Sequence, residues 1–384
     1  MKKILTAILI ATFFLGTGVV NAQKEEKKER SEAKNVEIKE KKLITDEQRK
    51  EMDDFEMDMI KGKPSSVVDT TTKFILPATG INATLPAGGN KYAILIGMAN
   101  YPGIDYDLCV DEAKTYLNVP VEGLSLYCKD DDSFHMYDTL TNIDDDDNSE
   151  YDFSPTNIKW LRDADATYEK IKYAVLNEIK PLELTADDEV LFFFSGHGFT
   201  GESGIANDSD PDAYNEDEFI AIYDDEYLDN DLEYSGEDYL ASNSMISDDE
   251  IKSWFAGSPA RMTFIFDTCG AGGMNDLAGE NRVLAMSSLE GQTSYTYYKG
   301  GALTDPETEN YQESQGLFSH YFVNRAMEDG LGDGYNLLSK RDPNKKDGTV
   351  SIEEAFGYAY PIVKSTKPQT PVLNDRDTSF DFLP

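Results

Sequence analysis

The sequence predicts an α/β protein with a mostly parallel central β-sheet flanked by helices on both faces. Three observations lead there. Runs rich in β-branched and aromatic residues, such as "YAILIG", "EVLFFFS" and "MTFIFD", alternate with stretches of helical periodicity. These runs are apolar almost throughout, as a strand covered on both faces requires. Each stops at a turn made of Gly, Asn, Pro or Asp.

Taken in order, the chain begins with a basic Met1-Lys2-Lys3, an apolar Ile4 to Leu15 and the small-residue site Val20-Asn21-Ala22, so residues 1–22 read as an export signal. No cysteine follows the cleavage point, and no later apolar run is long enough to span a bilayer. The expectation is an exported protein, periplasmic, cell-surface or secreted, without stable membrane insertion. Residues 23–85 are dense in charge and read as a solvated tail or a propeptide, with one amphipathic helix near Thr45 to Ile60. Residues 86–384 form the folded domain.

Within that domain "KYAILIGMAN" is a buried strand stopped by Asn100 and Pro102. "NIKWLRDADATYEKIKYAVLNEIKP" gives a short strand, a turn with Thr167 as N-cap, and a helix closed by Pro181. "DDEVLFFFSGHGFTG" is a second strand, ending in a turn with glycine on both sides of His197. "MISDDEIKSWFAG" is a helix with Ser247 and Glu250 in capping-box spacing, leading into the strand "MTFIFD". "NRVLAMSS" is a further strand, and "GLFSHYFVNRAMEDG" a helix ended at Gly330. "DPNKKDGTVSIEE" imitates an EF-hand loop, but one residue too many separates Asp342 from Gly348, so it reads as a turn feeding a helix capped by Ser351 and Glu354.

Charge narrows the partners. The chain carries 73 Asp and Glu against 35 Lys and Arg, a formal net charge of −38. Such a surface repels phosphate backbones and anionic lipids, which excludes nucleic acid as a partner, and it attracts divalent cations and basic peptides. Three cysteines, Cys109, Cys128 and Cys269, are too few for a disulfide scaffold and leave at least one thiol over.

Ligands of such sheets sit beyond the carboxyl ends of the strands. Two strands end in reactive groups: "FFFSGHG" delivers His197 and "TFIFDTCG" delivers Cys269. If the strands are neighbours, a thiol and a proton acceptor meet at one edge, as acyl transfer requires. The amides of Gly198 and Cys269 are candidate donors to an oxyanion, and the glycines allow close approach. The other histidines suit the role less well, since His135 lies in an irregular acidic region and His320 sits in a helix beside Tyr321 and Phe322.

"SGHG" closing one strand and "DTC" closing another, 72 residues later, resemble the caspase-like cysteine peptidases of clan CD, in particular bacterial metacaspase-type proteins. The likeness extends through "YAILIGMANY", "LCVDEA", "LRDADAT", "GLFSHYF", "DGTVSIEEAFGYAYPIV" and "QTPVL". It implies a dyad of nucleophile Cys269 and proton shuttle His197. It implies further that Asp267, on the same strand face as Cys269, binds a P1 Arg or Lys together with an acid near the first strand. In "CVDEA", Glu112 aligns with that acid and Asp111 with the family's usual asparagine, and either one reaches the pocket. Calcium is the implied cofactor, an activator rather than a catalyst, with Asp212, Asp224, Asp225 and Asp276 as its ligands. The surrounding acidic stretch otherwise reads as a solvated loop. Cys109 and Cys128 either pair or leave Cys109 to line the specificity pocket. Gly270 departs from the bulkier polar residue usual after the nucleophile.

Two functions follow. One is a secreted cysteine endopeptidase cleaving peptides or proteins after Arg or Lys, stimulated by calcium. The other is a non-catalytic, calcium-binding caspase-like module that presents a peptide groove. An esterase using Ser195 is disfavoured, because "FFFSGHG" lacks the glycine two residues before the serine. No Lys or Arg occurs between Lys180 and Lys252, so an enzyme of basic specificity leaves the region between the two motifs uncut. Self-processing is expected in the tail, at Lys41, Lys42, Lys61 or Lys63, or after the nucleophile at Lys299.

Overall fold

The computed structural model describes residues 34–39, 42–61, 89–101, 130–141, 151, 153–202, 217–224, 244–298, 314–336, 341–342, 346–365 and 369–375. The export signal, the motif "CVDEA", and Asp212, Asp225, Cys109, Cys128 and Lys299 lie outside the described residues. Among the described residues no helix is long and apolar enough to cross a membrane.

The chain enters through strands β1 (Lys34–Lys39) and β2 (Lys42–Leu43) and helix α1 (Asp46–Ile60). Thr45 caps α1 through a capping box with Gln48, which fixes the start of this helix where the sequence places it. Strand β3 (Lys91–Gly97), helix α2 (Asp132–Thr141), strand β4 (Ile158–Arg162) and helix α3 (Tyr168–Tyr173) follow. Thr167 caps α3 through the Lys170 amide, as expected. The helix does not remain α-helical to Pro181, however: it continues as a π-helical stretch over Ala174–Ile179 and a 3₁₀ turn over Lys180–Leu182. Pro181 has no N–H to give the regular ladder.

Next come β5 (Glu189–Ser195), β6 (Gly198–Glu202), β7 (Asp217–Ala221), β8 (Met245–Ser247), α4 (Asp248–Trp254), β9 (Arg261–Asp267) and a 3₁₀ helix over Ala271–Leu277. The chain closes with β10 (Arg282–Met286), β11 (Tyr295–Tyr298), β12 (Ser314–Gly316), α5 (Leu317–Ser319, running on in π geometry through His320–Glu328), α6 (Ile352–Ser365) and β13 (Val372–Asp375). Ser247 accepts from the Glu250 amide, and Ser351 and Glu354 cap each other's amides, at the two expected helix starts.

Six strands form the central sheet in the order β13-β10-β9-β5-β3-β4, parallel except for β13. Alternation along each strand divides the core in two. Leu95, Leu191, Phe193, Ile265 and Ala285 face one cluster, together with residues of α1, α2, α5 and α6. Ile94, Phe192, Phe194, Phe264, Phe266 and Leu284 face the other, with residues of α3 and α4. Hence "LFFF" reads as a continuous apolar run, since both faces of β5 are covered. At the opposite end of β5 and β9, Glu189 and Arg261 form a buried ion pair across the two strands.

Three elements depart from the sequence reading. The acidic segment is not only a solvated loop. "EFIA" lies within β7, where the adjacent Phe219 and Ile220 are buried on opposite faces, Phe219 with Phe199 and Met245 and Ile220 in the cluster that also holds Phe192 and Phe194. The N-terminal helix packs on α6 and is not solvated all round: Met52 and Met59 are buried, and Glu56 accepts from Tyr358 and Arg325. His135 lies on α2 rather than in irregular chain. Its Nδ1 stands 2.9 Å from Glu328 and its Nε2 3.4 Å from Asp131, so it ties α2 to the helix that carries Ser319.

Burial disfavours the His135 imidazolium, but Asp131 and Glu328 outweigh it and push the pKa from 6.5 up to about 11. A folded-state pKa raised above the unfolded one gives stability that is complete below about pH 6.5 and is lost as pH rises toward 11. His135→Gln is therefore expected to cost about 2 kcal/mol at pH 6 and less at pH 9, read from urea midpoints at the two pH values.

Candidate active site

Parallel pairing of β5 and β9 sets Ser195 opposite Asp267, and two residues further along each chain stand His197 and Cys269. The ladder continues past the strand ends, where the Gly196 amide donates to the Asp267 carbonyl at 3.2 Å. Gly198 then lies hard against the other loop. A Cβ there would sit 2.2 Å from Thr268 Oγ1 and 2.7 Å from the Cys269 carbonyl oxygen, so no larger residue fits without a shift. The turn that carries the imidazole and the turn that carries the thiol are thus in contact at the carboxyl edge of the sheet.

Both side chains are nearly enclosed, at 2% exposure for Cys269 and 4% for His197. Tyr101, just past β3, holds the histidine turn. Its hydroxyl accepts the His197 amide at 2.7 Å, and its ring lies 4.9 Å from the imidazole. The His197 carbonyl accepts from Ala221 of β7 at 3.0 Å, so the turn is fixed from both sides. The thiol loop is held by the end of β10. Thr268 donates its amide to Ser287 Oγ, its carbonyl accepts from Ser287 and Ser288, and Ala271 donates to Ser288 Oγ. Gly270 takes the left-handed conformation, at φ +68°, which turns the chain directly after the cysteine. The Ser294 amide points at Cys269 Sγ from 3.2 Å, a donor that favours the thiolate over the thiol.

Asp267 is fully buried beside this thiol. Its carboxylate accepts from Ser294 Oγ at 3.0 Å and from the Ser319 amide at 2.8 Å. Gly316 abuts it so closely that a Cβ would lie 2.0 Å from Oδ2. On the other side, the Gly316 amide donates to Asp132 at 2.9 and 3.0 Å, and Asp132 also accepts from the hydroxyl of Ser195. Two buried carboxylates, Asp267 and Asp132, therefore flank Gly316. Gln369 ties this wall together: it accepts from the Tyr295 amide at 2.7 Å and donates to the Ser287 carbonyl at 2.9 Å.

Asp132 was not named by sequence reasoning; Asp111 and Glu112, the expected second acids, lie outside the described residues. The available signal was "CKDDDSFHMYDTL", a cysteine and acids running into a helix, which has the same form as "CVDEA". Ser287, Ser288, Ser294 and Tyr101 were also passed over, because single hydroxyls carry no spacing rule.

Of the four expected calcium ligands, two fall within the described residues. Asp224 is buried just after β7, and Asp276 is ion-paired with Lys252 at 2.7 Å. Among the described residues no group of three or more acids, histidines or cysteines is arranged to hold a metal. With an ammonium already on Asp276, these two residues do not make a cation site by themselves, and no chemical step is assigned to calcium.

The edge can thus offer a thiol with an adjacent amide donor, an imidazole on the neighbouring strand end, and two buried carboxylates, Asp267 and Asp132, beside them. A solved structure of Raptor from Chaetomium thermophilum is similar at 13% identity and a TM-score of 0.29, over 69% of this chain and 21% of that one. The chain spans about a fifth of that protein's length, and the likeness is too distant to bear on function. No curated protein matches the chain. The family model of the caspase domain matches residues 90–338, more than half of the chain, including His197 and Cys269. With its parallel sheet between two layers of helices, the chain belongs to the caspase-domain peptidase family, a family of cysteine peptidases.

Proposed function

We propose that this chain is an exported cysteine endopeptidase that cleaves peptides and proteins after Arg or Lys. The observation that carries this reading is the pair of buried carboxylates, Asp267 and Asp132, on the two sides of Gly316 beside Cys269. Two buried carboxylates so placed repel each other, and a guanidinium or ammonium from the substrate neutralises both. An acidic P1 residue would add a third negative charge there.

In this reading the Cys269 thiolate attacks the carbonyl carbon of the P1 residue. The Gly198 and Cys269 amides stabilise the developing oxyanion. His197 takes the thiol proton and passes it to the departing amine, which leaves with the residues C-terminal to the cut. A thioester to Cys269 remains. Water, deprotonated by His197, hydrolyses it, releasing the new carboxyl terminus and restoring the thiol. Tyr101 keeps the histidine turn in place, and the Ser294 amide donates to the sulfur. Export rests on residues 1–22, and calcium stimulation on the family resemblance.

Fluorogenic peptides ending in Arg and in Asp, assayed with calcium and with a chelator, test the proposal. Hydrolysis is expected only after the basic residue, and Cys269→Ala is expected to lower it by about 1,000-fold or more. Asp267→Asn and Asp132→Asn keep the shape of the two side chains and remove their charge, so kcat/KM for the Arg peptide is expected to fall by about 100-fold for the former and less for the latter. A wild-type protein that cleaves after Asp instead would refute the basic-P1 assignment.

A second expectation concerns the enzyme itself. N-terminal sequencing of fragments from active protein should find no cut within residues 181–251, where no Lys or Arg occurs. Any Cys269-dependent cut should fall at a basic residue of the tail or at Lys299.

A further inference from the structure

The N-terminal segment does not end at α1. Upstream of that helix, β1 runs antiparallel along β6, pairing Ile38 with Phe199 and Lys39 with Gly198. Three residues on, β2 runs parallel along β11, pairing Lys42 with Tyr295 and Leu43 with Thr296. The Lys42 amide donates to the Ser294 carbonyl at 3.1 Å, and the Ile44 amide to the Thr296 carbonyl at 3.2 Å. One half of this segment therefore lies on the turn that follows His197. The other half starts at Ser294, whose amide faces Cys269 Sγ. From Lys39 to Lys42 the chain spans at most about 11 Å, so its two halves bracket the thiol closely.

The segment is tethered as well as paired. Directly after β2, Ile44 is buried and Thr45 begins α1, whose Asp53 accepts from the hydroxyls of Tyr297 and Tyr321 at 3.5 and 3.3 Å. Tyr297 belongs to β11, so α1 holds β2 on the strand it pairs with. An intramolecular segment held this way is present at high effective concentration and competes with any substrate for the same edges.

We propose that β1 and β2 are the two arms of a strap that compete with substrate for the edges flanking the thiol, β1 on β6 and β2 on β11, with the chain direction opposite to that of a substrate. This rests on the peptidase reading above. A P1 side chain at Asp267 lies beside Ser294, whose hydroxyl donates to that carboxylate, so in this inference the residues N-terminal to the cut extend along β11. The residues C-terminal to it leave past His197, on the side of β6. In the strap the order is inverted. Its N-terminal half, β1, lies on β6 and its C-terminal half, β2, on β11. A substrate on the β11 edge would run antiparallel to that strand, whereas the strap runs parallel to it. Main-chain hydrogen bonds form in either direction, so a reversed strand binds the cleft. Attack at sulfur and protonation at His197 then face the wrong ends of its peptide bonds. The strap is an inhibitor, not a substrate in place, and the enzyme cuts the tail at Lys41 or Lys42 only in another molecule.

The test reads the strap with and without peptidase activity. The alkylation rate of Cys269 by iodoacetamide is followed by mass spectrometry of its peptide in the full chain, in Lys42→Pro, which removes the amide donated to Ser294, and in a chain lacking residues 23–41 that keeps α1 and its cap. Alkylation is expected to be about fivefold faster in Lys42→Pro and faster still in the shortened chain, with hydrolysis of the Arg peptide rising in parallel. Equal alkylation rates in all three proteins would overturn the strap. Fractional cutting within residues 39–43 of the full chain is expected to speed up in proportion to protein concentration, and a rate independent of concentration would overturn the reversed direction. If no form hydrolyses any peptide, the peptidase reading fails, while the alkylation rates still decide whether the strap covers the thiol.

Discussion

In-register parallel pairing of β5 with β9 is the constraint on which everything else in this protein rests. Neither Ser195 nor Asp267 does chemistry by being opposite the other, but the second residue after Ser195 is the imidazole of His197 and the second after Asp267 is the thiol of Cys269. A slip of one residue would turn every side chain of β5 to the wrong face of the sheet. Phe192 and Phe194 would exchange covers with Leu191 and Phe193, which the two clusters of the core do not accommodate. Burial of each phenylalanine is worth about 2 kcal/mol, so the register is held by the core and not by the site. The Glu189–Arg261 ion pair acts in the same sense at the far end, because a slip would leave two buried charges without partners.

Given that register, the edge is finished by small polar residues that contribute little individually and restrict one another. Ser287 and Ser288 hold the carbonyl and amides around Cys269, Ser294 holds Asp267, and Gln369 bridges Ser287 to Tyr295. Four separate segments, around residues 267–271, 287–288, 294–295 and 369, supply these groups. Such a lattice positions a nucleophile within a few tenths of an ångström, and a nucleophile displaced by about 1 Å loses about two orders of magnitude in rate. Gly316 shows the same economy of space: it lets the chain pass between two carboxylates that a side chain would push apart.

Edges that bind an extended substrate also bind any other extended chain, including the protein's own. The main chain of β6 and β11 offers donors and acceptors irrespective of sequence, and the tail satisfies them from the start of the folded domain. A reversed strand keeps that protection without exposing the tail to the thiol. The helix that anchors it, α1, is charged on its outer face and buries Met52 and Met59 on its inner one, so this part of the segment serves as a structural clamp rather than a spacer.

The sequence by itself determined the alternation of strands and helices, the caps at Thr167, Ser247 and Ser351, and the candidates His197 and Cys269. Local physics sets all of these: side-chain periodicity, hydroxyls that satisfy free amides, and glycines at turns that only glycine fills. Asp267 was legible for the same reason, since two residues along a strand return to one face. Only the tertiary structure decided which acid stands across from it. Asp132 stands there because of where α2 packs against the sheet and the helix that carries Glu328, a contact between residues far apart in the chain. The strap was invisible for a related reason: a charged stretch such as "KNVEIK" has no core to bury, and it becomes a strand because β6 has an edge to pair with it.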